Sequence, residues 1–491
     1  MNILFICSVY YPITGGAQDP IDQMGNVLVS QGHRVDVLTR HVPDTIPKLE
    51  QRNSIWIHRI DNAVLPSDFQ SISIELRCFI QQMPRPDVIH IIGLRRPLPM
   101  IAEMLGCLWQ VPIIQTVGGY DIPDPIDPDP RHVYLTGKDM ILPIMRRADL
   151  LNAASDDLAR NTELLIGGRS PVPTLYVGID YGLFSSSFPC EEYKNPYILS
   201  LRRLEPAKSI DEVINAISLL RDELPELSLV IAGEGSERRN LEQRVEQLNL
   251  SSRVFFIGEV TIETAAQLLR GAFATVVASK SEGGGLVNVE AQAAGCPVIA
   301  TRAGGISEYL GGEQGALYID SPDGQQIADA IRTLWFNPDI RERIVAHGSS
   351  LAKKFDTVSL AEQYLTVYAE VVESYRPRDF SPWNMISAAL WDALVLESGR
   401  EPALDDPWRE PLAIEHLVLS TADPCFLALG RGARAFYYLG WSISISIEEL
   451  HKTCQHVVTV AFSYQPEDVS QALEEAADWG RFDIDSCLSY L

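Results

Sequence analysis

Ala274-Thr-Val-Val-Ala-Ser279-Lys-Ser-Glu282-Gly-Gly-Gly285-Leu-Val-Asn-Val-Glu290-Ala-Gln-Ala-Ala294 decides how the rest of the chain is read. An apolar, β-branched run ends at Ser279, three glycines follow, and a helical pattern opens over Val287–Ala294. Strand, glycine turn and helix in that order form one unit of a parallel, doubly wound sheet. Glycines let the backbone approach a ligand closely, and the unpaired N–H groups of a helix start attract phosphate. Eight residues of partly helical chain place Glu282 and Glu290 very roughly 12 Å apart at 1.5 Å per residue. That is too far for a glycosidase-type carboxylate pair, which needs a close approach. It suits two grips on one elongated ligand with phosphate between them. A loop glutamate and an amphipathic helix glutamate would leave the same trace if this segment stood alone.

The same alternation extends in both directions. Upstream, strands are expected at Ile3–Val9, Arg34–Thr39, Ile55–Ile60, Asp87–Ile92, Pro112–Val117, Leu150–Ser155 and Thr174–Val177, with a crossover helix at Asp19–Gln31 ended by Gly32. Continuous apolar runs of this kind suit strands buried on both faces. Gly182–Pro196 lacks periodicity and reads as a linker. A second series follows, with strands at Tyr197–Leu201, Leu227–Ala232, Arg253–Ile257, Ala274–Ser279, Pro297–Ala300 and Ala316–Ile319. Helices are expected between them at Asp211–Leu220, Glu237–Gln247, Ile262–Gly271, Val287–Ala294 and Gln325–Trp335. The predicted architecture is α/β: two Rossmann-like domains facing across a cleft, residues 1–190 and 191–376, plus an α+β extension over 377–491. Such sheets bind ligands beyond the carboxyl ends of their strands.

Arg203-Leu-Glu-Pro-Ala-Lys208 leaves the first strand of the second series, where two cations suit a diphosphate, Arg as a fork and Lys as a point charge. A solvated basic turn is the plainer alternative. Gly233-Glu234-Gly235 is a further glycine turn, but Arg238 stands where a dinucleotide fingerprint needs its third glycine. Thr14-Gly15-Gly16 opens the first crossover helix. Asp127-Pro-Asp129 sits in a proline–aspartate run and reads as a surface loop, so no metal site is expected. His33, His58, His90 and His132 lack ligand spacing, and His33 reads as a turn or strand-edge histidine.

Whole-chain properties narrow the function. A formal net charge of -25 over 491 residues disfavours nucleic acid and anionic lipid as general partners. The eight cysteines form no C-x-x-C pair and read as free thiols of a reducing, cytoplasmic setting. Met1–Tyr10 reads as a strand rather than a signal peptide, and no apolar run approaches the ~20 residues of a spanning helix. From Pro377 onward 18 Asp/Glu stand against 7 Lys/Arg, strand-like runs occur at Leu417–Leu419, Phe426–Leu429, Phe436–Leu439 and Val457–Phe462, and Pro466–Trp479 reads as a helix.

Taken together, these motifs resemble the family 4 retaining glycosyltransferases, the group 1 glycosyl transferases with a GT-B fold. The resemblance runs from Met1 to about Tyr375 and rests on joint order and spacing: Gly15-Gly16, Gly32-His33-Arg34-Val35, Ala148-Asp149 with Ser155, Arg203 with Lys208, Gly233 with Gly235, Glu282 with Glu290, Gly295-Cys-Pro-Val298, Gly304-Gly-Ile-Ser-Glu308 and the late segment Phe355–Tyr368. It implies a metal-independent, hexosyltransferase-like enzyme with no cofactor and a nucleotide-diphosphate sugar as donor. Arg203 and Lys208 would bind the diphosphate, Glu282 the donor sugar and Glu290 the ribose. Gly233, Glu234 and the Gly283-Gly284-Gly285-Leu286 turn would complete the donor site, with Glu282, Arg203 and Lys208 carrying the chemistry. Gly15, Gly16 and Asp121 would face a sugar, lipid-linked or other glycan acceptor. Peripheral membrane contact and a protein partner for the extension stay open.

The chain departs from the family pattern at five places. Gly118 replaces the histidine of His-Gly-x-Asp, Arg202 and Ser209 replace glycines beside Arg203 and Lys208, Gly284 replaces an aromatic, and Val177 replaces an asparagine. An epimerase or phosphorylase on the same architecture, and a catalytically silent nucleotide-sugar binder, are the rival readings.

Overall fold

A computed structural model of the chain describes residues 1–377 except 14–17, 61–78, 81, 95–97, 120, 123–144, 147, 169–170, 194 and 281, together with 414–420, 425–430, 436–438 and 459–461. Seven strands form the first sheet: β1 Asn2–Cys7, β2 Arg34–Arg40, β3 Leu49–Arg52, β4 Ile55–Ile60, β5 Val88–Ile92, β6 Ile113–Val117 and β7 Leu150–Ala153. Their order is β3-β4-β2-β1-β5-β6-β7, parallel throughout except for β3, which pairs antiparallel with β4. The second sheet comprises β8 Tyr197–Leu201, β9 Ser228–Ala232, β10 Val254–Gly258, β11 Ala274–Val277, β12 Val298–Ala300 and β13 Leu317–Tyr318. All six are parallel, in the order β10-β9-β8-β11-β12-β13. The alternation read from the sequence is thus two doubly wound sheets, the GT-B architecture.

The helices are α1 Gln18–Ser30, α2 Leu98–Trp109, α3 Asp156–Leu165, α4 Tyr181–Ser186, α5 Ile210–Leu219, α6 Arg238–Gln247, α7 Ile262–Gly271, α8 Leu286–Ala293, α9 Ile306–Tyr309, α10 Gly324–Phe336, α11 Pro338–Ala352 and α12 Thr357–Ser374. Strand order reverses between β1 and β5 in the first sheet and between β8 and β11 in the second. Chains leaving those neighbouring strands diverge to opposite sides and open a crevice at their carboxyl ends.

Three local expectations differ from the structure. Thr174–Val177 is no strand: Thr174 makes a single bridge to Ala153, and the Val177 N–H then turns to the Tyr309 hydroxyl at 3.4 Å. The chain leaves the sheet there to cross to the second half. The expected linker contains helix α4. Asp180 caps it by accepting from the Leu183 N–H at 2.8 Å, and Phe184 is fully buried in the second core. Six residues are too few for a helical period to show. Edge strand β3 had no alternation to reveal it.

Helix α12 returns from the second half to the first. Its Ala361, Tyr364 and Tyr368 are buried among Phe5, Ile21, Val37 and Ile114 of the first sheet and α1. Tyr368 hydroxyl lies 2.6 Å from His90 Nδ1, and His90 Nε2 lies 2.7 Å from Thr116 Oγ1. Burial pushes His90 down to about 3, so this histidine is a neutral core residue. His33 Nδ1 lies 2.9 Å from the N-terminal amine at the start of β2, as expected for a strand-edge histidine.

Beyond residue 377, β14 Ile414–Ser420, β15 Cys425–Gly430, β16 Phe436–Tyr438 and β17 Thr459–Ala461 form a sheet of order β16-β15-β14-β17. These strands fall on the four runs expected there; the expected helix Pro466–Trp479 lies outside the described residues.

Candidate active site

The two strands at the second sheet's reversal carry the charged residues. β8 ends at Leu201 and delivers Arg202 and Arg203; a short 3-10 turn, Pro206–Lys208, then presents Lys208. β11 ends at Val277 and delivers Ser279 and Glu282. The loops are tied by a Lys280 N–H bond to the Ala207 carbonyl at 2.9 Å. Lys208 Nζ donates to Glu282 Oε2 at 2.6 Å, Arg202 Nη2 to the same oxygen at 3.3 Å, and Ser279 Oγ at 3.2 Å. Burial alone would raise the Glu282 carboxyl, but the Lys208 and Arg202 charges and the hydrogen bonds outweigh it and hold it below the usual range. Lys208 is lowered, chiefly by burial and further by the Arg202 and Arg203 charges, against the pull of Glu282.

Arg203, expected with Lys208 to bind the donor diphosphate, is exposed beside the cluster, while its neighbour Arg202 is the buried arginine on Glu282. Sequence reading counted Arg202 only as a departure; the doubled arginine at a strand's carboxyl end was the available signal.

Glycines set how closely these loops pack. A Cβ at Gly233 would lie 2.1 Å from the Arg202 carbonyl oxygen, and one at Gly235 would lie 2.4 Å from that of Leu204. The Gly-Glu-Gly turn therefore serves the loop that carries the cations, by backbone against backbone. Glu234 points away from it and pairs with Arg238 on the surface at 2.7 Å. A Cβ at Gly304 would lie 1.9 Å from the Glu282 carbonyl oxygen, so Gly304-Gly305 is the bed on which the glutamate loop lies. Gly285 caps α8 in a left-handed conformation, φ 76°, with Leu286 as the first helical residue. Glu290 is half-buried one turn further along α8. Gly284 has no room for the family's aromatic because the Tyr309 ring occupies its place, 2.6 Å from a Cβ built there.

Ser209, where the family has glycine, adopts φ 48° and ψ 44° with its hydroxyl buried and unpartnered among the described residues. The left-handed conformation costs an L-residue roughly 1–2 kcal/mol, partly offset in glycine by chain entropy. Ser209→Gly should therefore stabilise the protein by about 1 kcal/mol. Thermal unfolding checks it, and a lower melting temperature in the variant contradicts the account.

The first half meets this cluster through the ends of β6 and β7. A Cβ at Gly119 would lie 2.8 Å from Gly283 Cα, so two glycine backbones touch across the cleft. Ser155 Oγ donates to the Gly283 carbonyl at 2.7 Å while capping α3. The Tyr309 hydroxyl donates to the Ala154 carbonyl at 2.6 Å, and the Asp156 N–H reaches both Glu308 oxygens at 2.9 Å. Asp121 stands behind this contact. Its carboxylate accepts from the Leu94 N–H at 2.8 Å and the Gly118 N–H at 2.6 Å, stapling the loops after β5 and β6. Burial pushes its carboxyl up to about 6 against those two bonds. Gly15, Gly16, Asp127, Asp129 and His132 lie outside the described residues, and no group of three metal-ligating side chains occurs among those described.

Residues 14–182 match the model described as Glycosyltransferase Family 4, and residues 189–350 match Glycosyl transferases group 1. Phosphatidyl-myo-inositol mannosyltransferase of Mycobacterium tuberculosis is 26% identical over 402 residues, 76% of this chain and 98% of that protein. N-acetyl-alpha-D-glucosaminyl L-malate synthase of Bacillus anthracis is 22% identical over 379 residues, 74% of this chain and 96% of that protein. Among solved structures, sucrose-phosphate synthase from Thermosynechococcus elongatus superposes with a TM-score of 0.63 at 20% identity, covering 76% of this chain and all of that one. Anabaena HepE in complex with UDP-glucose gives 0.61 at 19% identity, covering 75% of this chain and all of that one. The two family models together span more than half the chain and reach into both sheets, and the protein belongs to the group 1, family 4 glycosyltransferases of the GT-B fold.

Proposed function

We propose that this glycosyltransferase moves a sugar with retention from a nucleotide-diphosphate sugar to a glycan or lipid-linked acceptor in the cleft between its sheets. The observation that carries the reading is the Lys208–Glu282 contact at the strand-order reversal, one residue along the chain from the Gly119–Gly283 contact between the halves. Relatives matched over nearly their whole length are named phosphatidyl-myo-inositol mannosyltransferase and N-acetyl-alpha-D-glucosaminyl L-malate synthase, and HepE was solved in complex with UDP-glucose, which supports a nucleotide-sugar donor.

Breaking the bond between the sugar and its diphosphate builds negative charge on the leaving group. Lys208, Arg203 and the free N–H groups at the start of α8 would stabilise it. Glu282 would bind the donor sugar and Glu290 the ribose. The acceptor would approach from the first half, beside the Asp121-stapled loops and Gly15-Gly16. Its proton would pass to the departing phosphate. Because those cations serve the leaving group, turnover should survive EDTA. Complete loss, restored by manganese or magnesium, would bring Asp127 and Asp129 into the site and refute the metal-free reading.

Gly118 favours one rival, the silent binder: a Cβ built there would meet Asp121 Oδ2 at 3.2 Å, and the family's imidazole is missing. A thermal-shift panel of nucleotide sugars followed by turnover of the best hit separates the two. Binding without transfer supports the rival, and no shift with any nucleotide sugar defeats both. We propose a cytoplasmic location, in keeping with the buried free thiols Cys7 and Cys296; no helix among the described residues is long and apolar enough to cross a membrane. Fractionation of the native host is the check.

A further inference from the structure

We infer that Arg202 is a positioning residue for the donor sugar: with Lys208 it clamps Glu282 through one carboxylate oxygen, Oε2, and leaves the other, Oε1, to accept a sugar hydroxyl. The inference rests on the proposed donor site and adds to it a residue that the family pattern replaces with glycine.

Three observations support it. Among the described residues, every side-chain hydrogen bond to Glu282 lands on Oε2: Lys208 Nζ at 2.6 Å, Ser279 Oγ at 3.2 Å and Arg202 Nη2 at 3.3 Å. A carboxylate offers about four lone-pair sites over two oxygens, so saturating one oxygen fixes the plane and aims the other. The clamp is also enclosed, since the Lys208 and Arg202 side chains are 7% and 6% exposed while Glu282 keeps 16%. Of the three side chains, Glu282 is thus the most open to a ligand.

Third, the backbone that carries Arg202 is pinned. Its N–H donates to the Ala232 carbonyl at 3.0 Å, and Gly233 lies so close that a Cβ there would sit 2.1 Å from the Arg202 oxygen. A guanidinium on a fixed base is a stiff second arm, whereas Lys208 alone would hold Glu282 by a single rotatable ammonium. The charged groups facing Glu282 are Lys208 and Arg202, with Arg203 acting on Lys208. Removing one of two cations should leave the carboxylate ionised at neutral pH but less firmly oriented. The sugar then loses affinity while the diphosphate does not.

The test compares wild type with Arg202→Met, close in size, and Arg202→Lys, which restores a cation. Calorimetry with UDP and with UDP-glucose should show an approximately tenfold weaker UDP-glucose complex in Arg202→Met, about 1.4 kcal/mol, with UDP affinity unchanged. Arg202→Lys should recover part of the loss. Equal weakening of both probes would make Arg202 a phosphate ligand and overturn the inference, as would no change in either.

A ligand-free measurement keeps this outcome separate from the identity of the donor. Carboxyl-carbon NMR of Glu282, assigned through Glu282→Gln, should titrate higher in Arg202→Met, because one of the two cations that hold it down is gone. An unmoved midpoint overturns the clamp whatever the protein binds. If neither probe binds wild type, the UDP-sugar reading fails, and the NMR midpoint alone decides the role of Arg202.

Discussion

Lys208→Ala is expected to lower turnover by about two to three orders of magnitude, the usual loss for one preorganised donor aimed at developing charge. Lys208 is buried, sits on a tight 3-10 turn and reaches Glu282 at 2.6 Å, so its ammonium is placed before any ligand arrives. Arg203→Ala should give a loss in the same range even though Arg203 is exposed beside the cluster, because an arginine fork can swing onto a diphosphate. Single-turnover kinetics with saturating donor reads both variants, and circular dichroism confirms that they fold. Near-normal turnover in both would remove the phosphate role from this loop.

A comparably large effect is expected at a residue with no chemistry of its own. Gly119→Val places a branched side chain where even a Cβ lies 2.8 Å from the Gly283 backbone. The neighbours there are main-chain atoms, so no rotamer relieves the clash. The loops must separate by an ångström or more. A displacement of that size between reacting groups costs roughly a hundredfold in rate. Gly119 lies on a loop at the contact between halves, outside either hydrophobic core, so the melting temperature should stay close to wild type. Wild-type activity in Gly119→Val would mean that the halves do not meet here during turnover.

How far the sequence carried depended on what each signal measures. Apolar runs and glycine turns report burial and chain reversal, so both parallel sheets and the two loops bearing Lys208 and Glu282 could be read directly. Six-residue α4 and edge strand β3 escaped because neither spans enough residues to display a period. Thr174–Val177 was misread because its apolar side chains are half-buried without a ladder. Tyr176 packs at right angles to Tyr309 and Phe355 instead. Spacing also cannot tell which of two adjacent arginines turns inward. Arg202 is buried because its peptide is the one wedged against Gly233. The tyrosine ring in the place left by Gly284 comes from residue 309, and a substitution compensated from that distance leaves no local trace.

The returning helix sets a limit on how this molecule could be shuffled. Residues 1–190 by themselves lack Ala361, Tyr364 and Tyr368, which fill the floor of the first core, and lack the hydroxyl that meets His90. The first half is thus completed by the end of the second half's own stretch of chain. An exchange of donor-binding halves between two such enzymes keeps both cores whole only as a cassette, spliced in after Val172 and out again before Thr357. A simple cut at the midpoint would hand each hybrid a helix fitted to someone else's sheet.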